Sequence, residues 1–289
     1  MRGLLTTAIG ILAATATAAD ANVTCATGLY ILCARGSGET QPVNTGSPGL
    51  IAQEVAKQVK GSVIAGVIYP ATDPTDPTAP GGVNLTVYYP SENTGVKAIM
   101  EEVKQYHSSC PDSKIALIGY SQGAQVVQDA LCGGIGGPFN SDAPLSTDLV
   151  KKNVVAIALM GDPTHLANEP IDRGTSSHDG AFPRPNITVC KQYDDITASW
   201  CDKGDPFCDQ GDNITVHESY FPKYGTEIAQ FVIDKWKNST SQSDSVSTAT
   251  GTAGSSPTGT SAGSPTGSPS GLGKNLILGG VMLLAVWLF

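Results

Sequence analysis

The sequence predicts an α/β fold with a central parallel sheet covered by helices on both faces. Two observations support this prediction. Between about residues 25 and 237, apolar runs of strand length alternate with segments of helical periodicity. The apolar runs are continuous, as expected of strands that are buried on both faces. In sheets of this kind, ligands bind beyond the carboxyl ends of the strands.

The predicted elements follow one another along this region. Strands are predicted at residues 29–34, 63–69, 115–119, 154–160 and 187–193. Helices are predicted at residues 49–60, 95–107 and 122–132. A last helix is indicated by the spacing of four side chains on one buried face, those of Ile228, Phe231, Val232 and Trp236.

Both ends of the chain differ in composition from the central region, residues 20–237. Residues 1–19 contain an apolar stretch followed by the small-residue pattern Ala16-Thr17-Ala18, which predicts a secretory signal peptide. Residues 238–273 are rich in Ser, Thr, Gly and Pro, which predicts a disordered stalk. Residues 274–289 predict a GPI-attachment signal, because their apolar part is shorter than the ~20 residues of a membrane span. A short anchor or a tail buried in a partner is the alternative.

The charge and the cysteine content of the chain restrict its possible partners and its cellular compartment. The net charge is −9 and the sequence has no basic cluster, which argues against nucleic acid or an anionic membrane surface as a partner. Seven cysteines indicate an oxidising compartment. Five glycosylation sequons agree with export, at Asn22, Asn84, Asn186, Asn213 and Asn238. We expect a monomeric extracellular protein without cofactor or metal, attached to the membrane only through its GPI anchor or transferred to the cell wall.

Gly119-Tyr120-Ser121-Gln122-Gly123 is the most informative motif. It lies between a predicted strand and a predicted helix, which is the setting of the nucleophile elbow of α/β hydrolases. The glycines permit a sharp turn that exposes the serine hydroxyl, and the N–H of Gln122 would point toward a developing oxyanion. Ser121 is therefore the candidate nucleophile. A serine in an ordinary glycine-rich turn is the alternative.

A serine nucleophile needs a base within hydrogen-bonding reach and an acid that orients the base. Among the four histidines, His217 is favoured because it comes last, directly before the final helix. The chain order serine, acid, histidine is that of α/β hydrolases. His107 lies in a predicted helix, where a surface position is expected. His165 and His178 fall in irregular segments and remain open.

The residues alone leave the acid open among four aspartates. Asp162 follows the predicted strand at residues 154–160, and Asp194 and Asp195 follow the one at residues 187–193. Asp205 lies between two cysteines, where a disulfide would make a small rigid loop able to fix a carboxylate. A purely structural disulfide with solvated acids is the alternative.

Four ordered motifs resemble the cutinase family of serine esterases, which comprises cutinases and acetylxylan esterases. They are residues 34–39 (ARGSGE), residues 119–124 (GYSQGA), the pattern Cys201-x-x-Gly204-Asp205-x-x-Cys208, and His217. The resemblance covers essentially all of residues 25–237 and implies a lidless three-layer α/β/α fold. It implies ester hydrolysis through an acyl-enzyme, with Ser121 as nucleophile, Asp205 as acid and His217 as base.

The same resemblance implies an oxyanion hole formed by the hydroxyl and N–H of Ser37 and the N–H of Gln122. It implies three disulfides, Cys25–Cys110, Cys132–Cys190 and Cys201–Cys208. Cys33 is left as a buried free thiol that packs as a small apolar group. The substrate stays open between the long-chain polyester of cutinases and the acetylated polysaccharide of acetylxylan esterases. Residues 72–91, which should border the cleft, follow neither branch clearly.

A second interpretation is a wall-anchored structural or adhesive glycoprotein that retains a hydrolase fold. The predicted stalk and anchor suit such a protein. A protein that only binds has no physical need for a nucleophile, a base, an acid and two oxyanion donors together. We therefore expect an enzyme.

Overall fold

Six parallel strands form the central sheet in the computed structural model, which describes residues 23–40, 45–79, 82–139 and 141–249. They are β1 (Leu29–Ala34), β2 (Val63–Gly66), β3 (Lys114–Tyr120), β4 (Val154–Met160), β5 (Asp172–Gly174) and β6 (Thr197–Cys201). Their order across the sheet is β2-β1-β3-β4-β6-β5, and each neighbouring pair is parallel. All carboxyl ends therefore lie along one edge of the sheet.

The helices are α1 (Gly46–Gln58), α2 (Leu85–Ser109), α3 (Gln122–Cys132), α4 (Thr147–Asn153), α5 (Ile214–His217) and α6 (Tyr220–Ala249). Neighbouring residues of β3 face opposite sides of the sheet and build two separate cores. Leu117 packs with Ile99 of α2 and Val127 of α3, whereas Ile118 packs with Val232 of α6. These side chains are fully buried, and each contributes about 1.5–3 kcal/mol by leaving water. The arrangement confirms the predicted three-layer α/β/α fold.

The strand predicted at residues 187–193 is wrong. Residues Cys190–Ile196 form a 3₁₀ helix that is tied to α3 through the Cys132–Cys190 disulfide. The strand in this part of the sheet is β6, whose five residues are all buried. Its sequence, TASWC, mixes small polar with apolar residues, so its hydropathy gives no strand signal. Only three residues form β5, which was also not predicted.

Two helices are longer than the sequence predicts. Helix α2 starts at Leu85 rather than at residue 95, and Asn84 caps it by accepting from the N–H of Thr86. Helix α6 continues to Ala249, past the predicted start of the stalk at residue 238. Elongation of an existing helix is easier than its nucleation, and Ser239 and Thr240 donate back to helix carbonyls. Within the described ranges, none of the helices combines the length and apolarity of a membrane span.

Candidate active site

Ser121 occupies the sharp turn between β3 and α3, at the carboxyl edge of the sheet. Its backbone angles, φ 54° and ψ −123°, are costly for a residue with a side chain. A Cβ on Gly123 would lie 2.0 Å from the carbonyl oxygen of Ala34, and a Cβ on Gly119 would lie 2.6 Å from that of Gly123. The turn therefore requires glycine at both positions, and it presents the Ser121 hydroxyl at the end of the strand.

Ser121, His217 and Asp205 form one hydrogen-bonded chain. Nε2 of His217 lies 2.8 Å from Oγ of Ser121, and Nδ1 lies 2.8 Å from Oδ2 of Asp205. An ionised carboxylate can only accept, so Nδ1 carries the proton and Nε2 accepts from the serine hydroxyl. Ser121 is 9% exposed, His217 4% and Asp205 0%. The geometry prepares Ser121 for loss of its proton to the imidazole.

The disulfide loop between β6 and α5 holds Asp205 in place. Oδ1 accepts from the N–H groups of Phe207 at 2.7 Å and Cys208 at 3.1 Å. Burial acts to raise the pKa of Asp205, but the hydrogen bonds that it accepts from His217, Tyr220 and Phe207 outweigh burial and hold the pKa below its ordinary value. The carboxyl group therefore stays ionised beside the imidazole.

Tyr220, the first residue of α6, is a site residue that the sequence reasoning missed. Its buried hydroxyl donates to Oδ2 of Asp205 at 2.7 Å and accepts from the N–H of Asp202 at 3.0 Å. No motif marks it, because a tyrosine near the start of a helix is common and its partner is identified only in the fold. Tyr220 connects the last helix directly to the carboxylate of the site.

Ser37 lies in the loop after β1, which passes over the turn at Ser121. A Cβ on Gly36 would be 2.7 Å from Cδ1 of Tyr120 and 3.3 Å from Cβ of Ser121, so the two backbones approach closely. Glu39 holds this loop by accepting from the N–H of Gly36 at 2.7 Å. Ser37 lines the same cleft as Ser121. Gln122 begins α3, where N–H groups have no partner within the helix.

An open cleft of 260 Å³ lies in front of Ser121. One wall comes from the segment before α2 and from α2 itself, and its residues are Asp73, Pro74, Thr75, Val83, Leu85 and Tyr88. The second wall is mostly apolar and aromatic, and its residues are Pro163, Phe182, Phe207, Ile214 and Glu218. Among the described residues, no lysine or arginine lines it. The lining favours a neutral ligand over an anionic one, because Asp73 and Glu218 repel negative charge.

The other three candidate acids do not contact His217. Oδ1 of Asp162 accepts from the N–H and the hydroxyl of Thr164, each at 2.8 Å. Asp194 and Asp195 lie in the 3₁₀ helix before β6. Asp195 lines a groove with Lys114, the first residue of β3, so it lies at the opposite edge of the sheet from Ser121.

The other histidines also lie away from Ser121. His107 is on the last turn of α2. His165 is buried with Nδ1 3.7 Å from Asp172, and His178 is mostly exposed with Nδ1 3.3 Å from Asp209. No cluster of metal-ligating side chains occurs in the part of the chain that the structure describes.

The cysteines form the three pairs that the family resemblance implies. The disulfides are Cys25–Cys110, Cys132–Cys190 and Cys201–Cys208. Cys33 is free and fully buried in β1, and burial raises the pKa of its thiol. Such a thiol is not reactive and packs as an apolar group.

Comparison with known proteins identifies the family of this chain. The family model described as Cutinase matches residues 25–236. An acetylxylan esterase of Hypocrea jecorina is 33% identical over 221 residues, which cover 72% of this chain and 70% of that protein. Cutinase 11 of Verticillium dahliae is 34% identical over 194 residues, which cover 66% of this chain and 63% of that protein.

A solved structure has the same fold. The catalytic core domain of acetyl xylan esterase from Trichoderma reesei superimposes with a TM-score of 0.64 at 31% identity. The match covers 73% of this chain and 100% of that one. The chain therefore belongs to the cutinase family, and it is a carboxylic ester hydrolase.

Proposed function

We propose that this protein is a serine esterase in which Ser121 is the nucleophile, His217 the general base and Asp205 the orienting acid. The observation that supports this proposal best is the hydrogen-bonded chain with 2.8 Å separations on both sides of the imidazole. The ionised state of Asp205 fits the role, because it stabilises the imidazolium that forms when His217 takes a proton.

In the proposed reaction, Ser121 Oγ attacks the ester carbonyl while its proton moves to Nε2 of His217. The tetrahedral intermediate then collapses, the imidazolium gives the proton to the departing alcohol, and an acyl-enzyme remains. Water, deprotonated by His217, attacks the acyl group and releases the carboxylic acid and free Ser121. The N–H of Gln122 and the hydroxyl and N–H of Ser37 are the proposed oxyanion donors, and each such donor typically contributes ~10²–10³ in rate.

Ser121→Ala should abolish labelling by a fluorophosphonate probe and reduce the hydrolysis of p-nitrophenyl acetate to a small residual rate. Alanine is close in size to serine, so the melting temperature should change little. The variant can still exceed the uncatalysed rate by ~10³–10⁴-fold without contradicting the assignment, because substrate binding and the oxyanion contacts remain. Ser176→Ala is a suitable control, because Ser176 donates to Asp209 and lies outside the cleft. Near-normal turnover by the Ser121 variant would contradict its role as nucleophile.

For the substrate we propose an ester-bearing polymer, with acetylated xylan as the first candidate and cutin as the second. The support is that the acetylxylan esterase of Hypocrea jecorina aligns over 221 residues, against 194 for Cutinase 11, and that the catalytic core of such an esterase superimposes with a TM-score of 0.64. The cleft, with 260 Å³ and aromatic walls, also suits a small acyl group.

A series of p-nitrophenyl esters from acetyl to palmitoyl, with acetylxylan and a polyester film beside it, tests this choice. We expect kcat/KM to be greatest for acetyl or propionyl esters and acetate to be released from acetylxylan. A maximum at eight or more carbons together with release of acid from polyester would select cutin instead.

We further propose an extracellular location, which the three disulfides support because such bonds persist in oxidising compartments. The signal peptide at residues 1–19, the later part of the stalk and the GPI signal at residues 274–289 lie outside the described residues. They remain predictions from the sequence.

A further inference from the structure

A groove at the amino edge of the sheet is lined by four lysines, although the chain as a whole carries a net charge of −9. The lysines are Lys114, Lys151, Lys152 and Lys235, and the groove has a volume of 710 Å³. They come from the first residue of β3, the last turn of α4 and the middle of α6. Because these elements are far apart in sequence, the fold creates a basic cluster that the sequence does not reveal.

The positive charge of this lysine groove is only slightly neutralised. Lys152 lies 3.7 Å from Asp112, whose side chain is 95% exposed. Nζ of Lys114 donates to the carbonyl oxygen of Lys152, and Nζ of Lys235 donates to that of Asp195. Within the described residues, Lys114, Lys151 and Lys235 form no ion pair, and Asp195 is the single acidic residue in the lining. The groove therefore presents a local excess of positive charge.

We propose that the lysine groove binds an acidic polysaccharide, whose carboxylates pair with the lysine ammonium groups. Compact ammonium groups on flexible stems suit spaced carboxylates on an extended polymer. An adjoining depression of 470 Å³ shares Lys114 and is lined by Trp236, which lengthens the surface and adds an aromatic face for a sugar ring. The choice of a polysaccharide rests on the proposed function as an esterase of a polymeric carbohydrate.

Two other anionic partners fit the lysine groove less well. A membrane-binding surface exposes apolar side chains for insertion, whereas Val154 and Val155 in this groove are 3% and 6% exposed. Nucleic-acid binding favours arginine forks on phosphate, and neither the lining of the groove nor that of the adjoining depression contains an arginine among the described residues.

The position of the lysine groove separates binding from catalysis. Ser121 lies at the carboxyl edge of the sheet, and the groove lies at the amino edge. The polymer would therefore hold the enzyme on an acidic material while the cleft stays open to esters nearby. The acidic residues Asp73 and Glu218 in the cleft would keep the same polymer out of it. Loss of the groove should then weaken attachment without changing turnover of a small ester.

The test measures binding of the full chain to polygalacturonate by affinity electrophoresis, with neutral xylan as the reference polymer. Every protein is measured both with Asn238 and with Asn238→Gln, because Asn238 lies in a sequon and lines the groove, where a glycan would compete with the polymer. The test variant is Lys151→Gln/Lys152→Gln. The control, Lys97→Gln/Lys104→Gln, removes the same charge from exposed positions on α2.

We expect the parent protein and the control to bind polygalacturonate at low salt, and salt to weaken binding as the Debye length falls to about 8 Å near 0.15 M. The test variant should bind on the order of tenfold more weakly, since two ammonium groups are lost. All proteins should hydrolyse p-nitrophenyl acetate equally, which also shows that the variants are folded.

Three results would overturn the proposal: no binding by the parent protein, an equal loss in both variants, or a preference for phosphatidylserine vesicles or duplex DNA over polygalacturonate. Binding is measured without catalysis. An inactive parent protein that still binds would therefore contradict the proposed esterase function and leave the groove assignment intact.

Discussion

At the scale of single residues, the carboxylate of Asp205 is fixed by four donors. The backbone N–H groups of Phe207 and Cys208 bind one oxygen, and the imidazole of His217 and the hydroxyl of Tyr220 bind the other. The carboxylate cannot rotate without breaking several of these hydrogen bonds. A hydrogen bond to a charged group contributes about 1.5–3 kcal/mol to stability, against about 0.5–1.5 kcal/mol for an ordinary one. The imidazole is thus oriented through Asp205 and Tyr220, neither of which lines the cleft.

Tyr220→Phe should lower kcat for p-nitrophenyl acetate by about tenfold and leave KM nearly unchanged. The change removes one donor to Asp205 and allows the carboxylate to shift, and a misplacement of about 1 Å can cost ~10²-fold in rate. Steady-state kinetics measure the effect. Tyr224→Phe is the matched control, because its hydroxyl donates to Asp202 at 2.9 Å. Equal losses of kcat in the two variants would argue against a positioning role for Tyr220.

The sequence singles out Ser121 by its local motif and favours His217 by its order along the chain, and the structure brings the two side chains within 2.8 Å of each other. Asp205 could be chosen from the four aspartates only through the family resemblance, since its link to His217 is a contact across loops. Tyr220 could not be predicted at all. Its role depends on where α6 begins relative to the disulfide loop, and no spacing along the chain encodes that distance.

At the scale of structural elements, the loop closed by Cys201–Cys208 fixes the position of Asp205 more than it stabilises the whole fold. The two cysteines are 7 residues apart, whereas Cys25 and Cys110 are 85 apart. Loop-closure entropy then predicts about 2.5 kcal/mol from the short bridge and about 4.6 kcal/mol from the long one. The short bridge therefore adds less to global stability, yet its loop contains Asp205.

Cys201→Ala/Cys208→Ala should reduce kcat strongly, by ~10²-fold, with a modest fall in melting temperature. Cys25→Ala/Cys110→Ala should show the reverse, with a larger fall in melting temperature and nearly normal kcat in the folded fraction. Kinetics and thermal unfolding of both variants, compared side by side, provide the measurement. Full activity without the short bridge would show that the loop holds Asp205 unaided.

Elements with a continuous apolar run were predicted well, and those defined by tertiary contacts were not. The strands β1 and β4 and helix α3 have the bounds that the sequence predicts. In contrast, β6 is recognised as a strand only from its pairing with β4 and the burial of Trp200. The residues before it, Cys190–Ile196, have the mostly polar sequence CKQYDDI and form a 3₁₀ helix whose first residue is joined to α3 by the Cys132–Cys190 bridge.

At the scale of the whole molecule, a buried charged network joins α2, α3 and the loop at Arg184. Arg184 is ion-paired with Asp129, and it donates to the carbonyl oxygen of Gly133 at 2.7 Å. Glu92 is fully buried, and neither of its oxygens accepts a hydrogen bond from a described donor. Burial and then the charge of Asp129 raise the pKa of Glu92 to about 9. The raised pKa favours the neutral form of Glu92 at pH 7.

This raised pKa makes stability depend on pH. The pKa of an unfolded glutamate is about 4.3, so the folded state keeps a proton that the unfolded state releases. The stabilisation is complete below about pH 4.3 and is lost as the pH rises through about 9. The melting temperature of the wild type should therefore fall from pH 5 to pH 9 more steeply than that of Glu92→Gln, which has no proton to lose.

Thermal unfolding at several pH values tests this expectation. Glu101→Gln on the exposed face of the same helix is the control and should follow the wild type. Parallel curves for the wild type and Glu92→Gln would show that Glu92 does not bind the additional proton.

The distribution of primary amines has a practical consequence for attaching this enzyme to a solid support. Among the described residues, the cleft has no lysine in its lining, whereas four lysines lie together at the opposite edge of the sheet. Molecules that couple to an amine-reactive resin through that cluster would have Ser121 directed away from the resin and open to macromolecular esters in the mobile phase. Coupling through the exposed Lys203, in the Cys201–Cys208 loop, would instead turn the cleft toward the resin.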